Sequence, residues 1–147
     1  MDTERLCRSY LLQFSTSAAL WDHLGVALMR LGKLAESSEA FENAVRLDAK
    51  NHIFLTNLGS AFAAAKRYDE AIECFRRALN LKTSIPELHY NLANALKDSG
   101  KFEDAVNSYQ KALQLRSNYP AAWSNLGATH VKLDNLDAAE QDRKSVV

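Results

Sequence analysis

The chain lacks the features that mark several large classes of protein. Its 147 residues include two cysteines, Cys7 and Cys74, which are too few for a disulfide framework and indicate a reducing compartment. Two prolines and five glycines are too few for a loop-rich all-β fold. The 18 Lys and Arg residues balance 18 Asp and Glu residues, and this zero net charge disfavours nucleic-acid binding.

Targeting and membrane signals are also missing. No apolar run approaches the ~18 residues of a membrane span. The first residues include Asp2 and Glu4 instead of a cationic region, and Gln13 interrupts the apolar stretch, so the start does not fit a secretory signal. Hydrophobic residues make up 47% of the chain, which is normal for a globular protein. We therefore expect a soluble protein of the cytoplasm or nucleus, with no membrane partner.

What the chain does have is an internal repeat of 34 residues. Trp21 and Trp123 are three periods apart, with Leu55 and His89 at the same phase between them. Other columns recur at the same spacing: Leu24, Leu58, Leu92 and Leu126; Gly25, Gly59, Ala93 and Gly127; Phe41, Phe75, Tyr109 and Arg143; Ala44, Ala78, Ala112 and Val146.

Each repeat contains two amphipathic helical patterns separated by a short break. In the first repeat, Leu20, Leu24 and Leu28 follow helical spacing, and a second apolar stripe begins at Leu34. Gly32 and Gly100 stand where a left-handed residue would end a helix, and Pro86 and Pro120 stand where a helix would begin. The predicted helices cover 18–31, 34–47, 52–65, 68–81, 86–99, 102–115, 120–133 and 136–145.

The glycine column and the aromatic column have a joint packing explanation. A glycine inside a helix costs about 1 kcal/mol relative to alanine, so a repeated helical glycine must be compensated. We predict that Gly25 and Gly59 let the two helices of a repeat approach closely, with the aromatic side chain of the second helix beside them. Trp21, Trp123 and Phe75 are predicted to be largely buried.

These columns resemble the tetratricopeptide repeat (TPR). Residues 52–85 and 86–119 match the pattern of that family at nearly every column, and the resemblance covers residues 18–147. It implies an all-α, right-handed α-solenoid of about three and a half helix-turn-helix repeats with an N-terminal helix. The predicted parts are an N-terminal helix in 1–17, repeats in 18–51, 52–85 and 86–119, and an incomplete fourth repeat in 120–147.

The two ends depart from the repeat pattern. Residues 3–14 have apolar residues at helical spacing and are predicted to form a lone helix, placed where the second helix of an earlier repeat would pack. In the fourth repeat Arg143 occupies the aromatic column, so the last helix is predicted to be weak and to leave Trp123, Leu126, Leu133 and Leu136 uncovered. We interpret this end as a truncation or alternative ending of a longer repeat array, the alternative being a short frayed cap. We expect homo-oligomerisation through residues 120–147.

No residue pattern indicates catalysis, a metal or another cofactor. His23, His52, His89 and His130 are not spaced as ligand pairs. Cys74 has no base near it in the sequence and is interpreted as structural. We therefore expect a protein that is not an enzyme and carries no cofactor.

The resemblance implies that the first helices line a peptide-binding groove. Lysines and an arginine that clamp a C-terminal carboxylate in one group of TPR proteins are absent, because Asp22, Thr56, Glu87, Tyr90 and Ala121 occupy those places. Instead, asparagines recur at one phase, and an asparagine amide can pair with both the N–H and the C=O of a peptide. The candidate groove residues are Asn57, Asn91, Asn94, Asn125, Tyr90, Lys97 and Lys132.

The expected function is therefore a non-catalytic scaffold that binds a protein or an extended peptide. The asparagine ladder resembles the repeat domain of O-linked N-acetylglucosamine transferases, so one alternative is the substrate-targeting segment of a larger glycosyltransferase. A third alternative is a self-association module. Asparagine at this phase is common across the family, so the ladder can also serve only the packing of the helices.

Overall fold

The computed structural model describes residues 2–145, which form eight α-helices and no strand. The all-α class is as predicted, whereas nine helices were predicted, counting the N-terminal one. The helices are α1 (Thr3–Leu11), α2 (Ala18–Arg30), α3 (Leu34–Leu47), α4 (His52–Ala64), α5 (Tyr68–Leu81), α6 (Pro86–Asp98), α7 (Phe102–Leu115) and α8 (Pro120–Ser145). They form two compact units: unit 1 extends to Thr83 and contains α1–α5, and unit 2 starts at Ser84 and contains α6–α8. None of these helices is long and apolar enough to cross a membrane.

In unit 1, each first helix packs closely on the following second helix because a glycine faces an aromatic ring. A Cβ atom added at Gly25 would lie 2.6 Å from the Phe41 ring, and one added at Gly59 would lie 2.7 Å from the Phe75 ring. Both rings are buried in unit 1. The predicted reason for the glycine and aromatic columns is therefore confirmed for these two helix pairs.

The breaks between the helices of a pair need a residue with positive φ. Gly32 and Gly100 supply it with φ values of 74° and 83°, as predicted. Pro86 and Pro120 open α6 and α8, also as predicted. In the second repeat the same place is taken by Lys66, with φ of 61°, which the sequence pattern did not identify as left-handed.

Replacing Lys66 with glycine is expected to stabilise unit 1 by up to about 1 kcal/mol. A residue with a Cβ atom pays roughly 1–2 kcal/mol in the left-handed region, whereas glycine pays little there but loses more entropy on folding. Chemical denaturation of Lys66→Gly and of the exposed control Lys82→Gly measures the effect. A Lys66→Gly variant less stable than the wild type would show that the turn is not strained.

The fourth repeat differs from the prediction, because α8 is one continuous helix of 26 residues instead of two. The place of the left-handed glycine is taken by Asp134, which continues the helix. No apolar stripe follows that would favour folding back. Glu140 stands where Ile72 and Val106 are aliphatic, and Arg143 stands in the column that is aromatic in the other repeats. Val146 and Val147, which the predicted fourth repeat includes, lie outside the described residues.

The predicted burial of the two tryptophans is partly wrong. Trp21 is half-buried, and Trp123 is 56% exposed because no second helix packs beside it. Each indole folds back on the loop before its helix: Trp21 Nε1 donates to Ser15 O at 2.8 Å, and Trp123 Nε1 donates to Ser117 O at 2.9 Å. Leu126, predicted to be uncovered, is buried, and Leu133 is half-buried.

The N-terminal helix α1 packs on the first repeat, as predicted. Cys7 and Leu11 form a buried cluster with Leu24 and Leu28 of α2 and Ala40 of α3. Ion pairs fix the outer side of this contact: Glu4 with Arg8 and Lys33, and Arg8 with Glu36. Hydrogen bonds from the Lys33 ammonium and the Arg8 guanidinium lower the pKa of the Glu4 carboxyl.

Candidate functional site

In unit 1 the candidate site residue is Asn57 on α4. Its amide nitrogen donates to Asp22 Oδ1 on α2 at 2.8 Å, so this asparagine joins two successive first helices. Asp22 also lines an open hollow of about 500 Å³ beside α1, together with His23, Val26 and Arg30. One amide hydrogen and the amide oxygen of Asn57 have no partner within the part of the chain that the structure describes.

In unit 2 the structure brings three of the predicted residues together. The amide nitrogen of Asn125 on α8 donates to Tyr90 Oη at 3.1 Å and to Asn94 Oδ1 at 2.9 Å, both on α6. The Asn94 oxygen also accepts from the Tyr109 hydroxyl of α7 at 2.5 Å. We call these four residues, Tyr90, Asn94, Tyr109 and Asn125, the asparagine cluster; it links three helices.

The asparagine cluster combines a structural role with unused hydrogen-bonding capacity. Both amide hydrogens of Asn125 and both lone pairs of the Asn94 oxygen are used inside the protein. The amide hydrogens of Asn94 and the amide oxygen of Asn125 have no partner in the described part of the chain. These groups are a donor and an acceptor on two residues whose amides are joined by a hydrogen bond. A peptide backbone carries the complementary C=O acceptor and N–H donor.

Asn94→Ala is expected to lower the stability of unit 2 by about 1–3 kcal/mol, because it leaves the fully buried hydroxyl of Tyr109 without its acceptor. Thermal or urea denaturation measures this loss. In the Tyr109→Phe background, Asn94→Ala should cost clearly less, since the hydroxyl is already absent. Equal losses in both backgrounds would show that the Tyr109–Asn94 hydrogen bond does not stabilise the fold.

The remaining predicted residues lie outside the asparagine cluster. Asn91 on α6 is half-buried, and no hydrogen-bond partner is found for its amide among residues 2–145. Lys97 Nζ lies 3.6 Å from the carboxylate of its neighbour Asp98. The Lys132 ammonium lies 5.5 Å from the centre of the Phe102 ring, at the start of α7. The structure thus groups Tyr90, Asn94 and Asn125 and gives the two lysines separate contacts.

Two tyrosines in the site were not among the predicted site residues. Tyr109 occupies the column that holds phenylalanine in the first two repeats. Its additional hydroxyl group is the feature of the sequence that could have indicated a hydrogen-bonding role. Tyr119, in the loop before α8, lies with its ring centre 4.9 Å from that of Tyr90. Burial raises the pKa of both phenols, so both remain neutral donors at physiological pH.

The described residues hold no metal-binding cluster and no exposed thiol. No group of three or more His, Cys, Asp or Glu side chains among them could hold a metal ion. Cys74 is buried, and burial raises the pKa of its thiol to about 11, so it is protonated at neutral pH and is a poor nucleophile.

Comparisons with known proteins agree with this architecture. A family model described as tetratricopeptide repeat matches residues 24–86, and another described as TPR repeat matches residues 93–134. A search of curated proteins gave no significant match.

Three solved structures illustrate the similarity of fold. MamA is 21% identical, with a TM-score of 0.85 over 97% of this chain and 88% of its own. The first TPR of Spaghetti (RPAP3), bound to the HSP90 peptide SRMEEVD, is 23% identical, with a TM-score of 0.77 over 80% of this chain and 93% of its own. The Sgt2 TPR domain from Aspergillus fumigatus is 20% identical, with a TM-score of 0.77 over 82% of each chain.

Proposed function

The chain belongs to the tetratricopeptide repeat family, and from this premise we propose that it is a non-catalytic scaffold that binds protein or extended peptide along its first helices. The observation that carries the proposal is the pair of unused polar groups in the asparagine cluster, the Asn94 amide hydrogens and the Asn125 amide oxygen. The RPAP3 domain, which has the same fold and is bound to an HSP90 peptide, supports a peptide as ligand.

Binding through the peptide backbone fits the chemistry of this surface better than capture of a terminal carboxylate. The cationic positions of a carboxylate clamp hold Glu87 and Tyr90 in unit 2, and the Glu87 carboxylate pairs with Arg116 at 2.5 Å. In unit 1 they hold Asp22 and Thr56. A carboxylate placed beside Asp22 or Glu87 would meet like charge, whereas a neutral peptide group would not.

Asn91 adds to the binding surface in this proposal. It stands one helical turn before Asn94 on α6, and its amide has no hydrogen-bond partner among the described residues. Amides at Asn91 and Asn94 can serve successive groups of an extended chain with little demand on its side chains. Lys97 continues the same face of α6, while Lys132 would have to leave the Phe102 ring to take part. The two cysteines, both free and buried, support a cytoplasmic or nuclear location.

Fluorescence anisotropy with labelled SRMEEVD and with its C-terminal amide tests this proposal. We expect the two peptides to bind with similar affinity, because the peptide backbone and not the terminal charge is recognised. Weak dependence on salt is expected for the same reason. A strong preference for the free carboxylate would replace the backbone mode with a clamp, and the absence of binding to either peptide would count against the groove.

We also propose self-association through residues 120–147, because a specific observation favours it. Trp123 is 56% and Val131 59% exposed on α8, and the space around Gly127 is open. An apolar helix face of this kind is typical of an interaction surface. Sedimentation over about two decades of concentration should show a rising average mass, and a strict monomer throughout would disprove the association.

A further inference from the structure

One side of α8 is exposed. The equivalent side of α2 is covered by α3, and the equivalent side of α4 is covered by α5. Trp123, Gly127 and His130 lie on this side at helical spacing, with Val131 and Asp134 beside them. In α2 the equivalent of Gly127 is Gly25, which contacts the Phe41 ring. We call the side formed by Trp123, Gly127, His130, Val131 and Asp134 the α8 face. Among residues 2–145, no second helix covers it as α3 and α5 cover the equivalent sides of α2 and α4.

Helix α1 also has an exposed apolar side, but it is a side that a first helix would cover. It packs on α2 as a second helix does, but Leu6 and Tyr10 are 40% and 49% exposed. One repeat later, the equivalent residues of α3 are Ala40 and Ala44, both buried. We call the side formed by Leu6 and Tyr10, with Arg5 at its edge, the α1 face. No first helix in the described part of the chain covers it as α2 covers the equivalent side of α3.

The two faces complement each other in shape and in charge. Large side chains, Leu6 and Tyr10, stand on the α1 face, and the α8 face offers open space at Gly127, where an added Cβ atom would have no neighbour within 4 Å. Arg5 lines an open hollow of about 500 Å³ on the α1 face, and Asp134 lies on the α8 face. Neither Arg5 nor Asp134 has an ion-pair partner among residues 2–145.

We propose that the occupant of the α8 face is the α1 face of a second copy of this chain. Helix α1 of the second copy lies antiparallel to α8, with Leu6 and Tyr10 over Gly127. The two helices then form a pair that neither makes with another helix of residues 2–145. This proposal rests on the self-association proposed above and names the partner surface. Because the two faces differ, the contact is head-to-tail and leaves one face free at each end for a further copy.

Four variants, each adding one arginine, test this contact in the full chain. Tyr10→Arg blocks the α1 face, and Gly127→Arg blocks the α8 face at a position where the fold has room for a side chain. Asn107→Arg and Ala128→Arg are the controls, since Asn107 on α7 and Ala128 on α8 are exposed and lie outside both faces. Circular dichroism confirms that all four remain folded, and sedimentation velocity measures association.

A head-to-tail contact gives a distinctive result when the two blocked variants are mixed. Each alone should sediment as a monomer, whereas an equimolar mixture should form a species of two copies and nothing larger, because one intact face of each kind remains. The controls should associate like the wild type. A Tyr10→Arg protein that still associates while Gly127→Arg does not would overturn this proposal in favour of a symmetric α8 contact. A wild-type monomer at every concentration would overturn both the contact and the underlying association.

Discussion

Replacing Phe75 with alanine is expected to lower the free energy of unfolding by about 3–5 kcal/mol. The ring is 1% exposed and lies against the backbone of Gly59, so its removal loses apolar burial and leaves a cavity that the two packed helices cannot close. Urea denaturation measures the change. The control is Lys82→Ala, because Lys82 is exposed and directly follows α5, the helix that carries Phe75. A midpoint shift no larger than that of Lys82→Ala would mean that the assigned repeat phase is wrong.

Adding a single methyl group at Gly59 is expected to destabilise unit 1 by about 1–3 kcal/mol. The new Cβ atom would lie 2.7 Å from Cε1 of Phe75, and the ring is held on all sides in the core. Intrinsic helix propensity alone predicts the opposite sign, because alanine is favoured over glycine by about 1 kcal/mol in a helix. The sign of the change in stability therefore shows which effect dominates.

Gly127→Ala is the matched control for Gly59→Ala. It stands at the same phase of the repeat, but a Cβ atom there would meet nothing within 4 Å. We expect this variant to be unchanged or more stable by up to about 1 kcal/mol. If Gly59→Ala and Gly127→Ala shifted stability in the same direction by the same amount, the close approach of α4 and α5 would not be the reason for the glycine at residue 59.

Periodicity was sufficient to predict most of the helices, because each column of the repeat corresponds to one packing environment. Leucines such as Leu24 and Leu58 recur because each packs in the same interior position. The glycines with positive φ, Gly32 and Gly100, identify two of the turns. The turn at Lys66 could not be identified in this way, since its left-handed conformation is imposed by the packed helices on a residue without a preference for it.

The sequence pattern was least informative where the repeat ends. A tryptophan at residue 123 in a column that was predicted to be buried suggested a packed fourth repeat. Burial depends on the partner helix, however, and Asp134 lets α8 continue instead of turning back. Trp123 is therefore exposed, although Trp21 is the same residue type at the same position of the repeat and is half-buried.

The sequence placed the asparagines at one phase but could not say what each amide contacts. The Asn57 amide donates a hydrogen bond to Asp22, and the Asn125 amide donates to Tyr90 and Asn94. The Asn91 amide has no hydrogen-bond partner among the described residues. A shared phase is compatible with two roles for all the asparagines together, helix packing or peptide recognition. The contacts differ from one asparagine to the next, and hydrogen bonds between residues more than 30 positions apart cannot be derived from local spacing.

The affinity of the Asn91→Ala variant for an extended peptide tests the proposed backbone recognition most directly. Because Asn91 has no partner among the described residues, its loss should leave stability unchanged or raise it by a few tenths of a kcal/mol. Asn107→Ala, an exposed asparagine on the second helix α7, is the matched control. Anisotropy with labelled SRMEEVD and its C-terminal amide should show about fivefold or greater weakening for Asn91→Ala, equivalent to about 1 kcal/mol for a stranded peptide group, and none for Asn107→Ala. Equal affinity of the wild type, Asn91→Ala and Asn107→Ala for both peptides would contradict recognition of a peptide backbone by this surface.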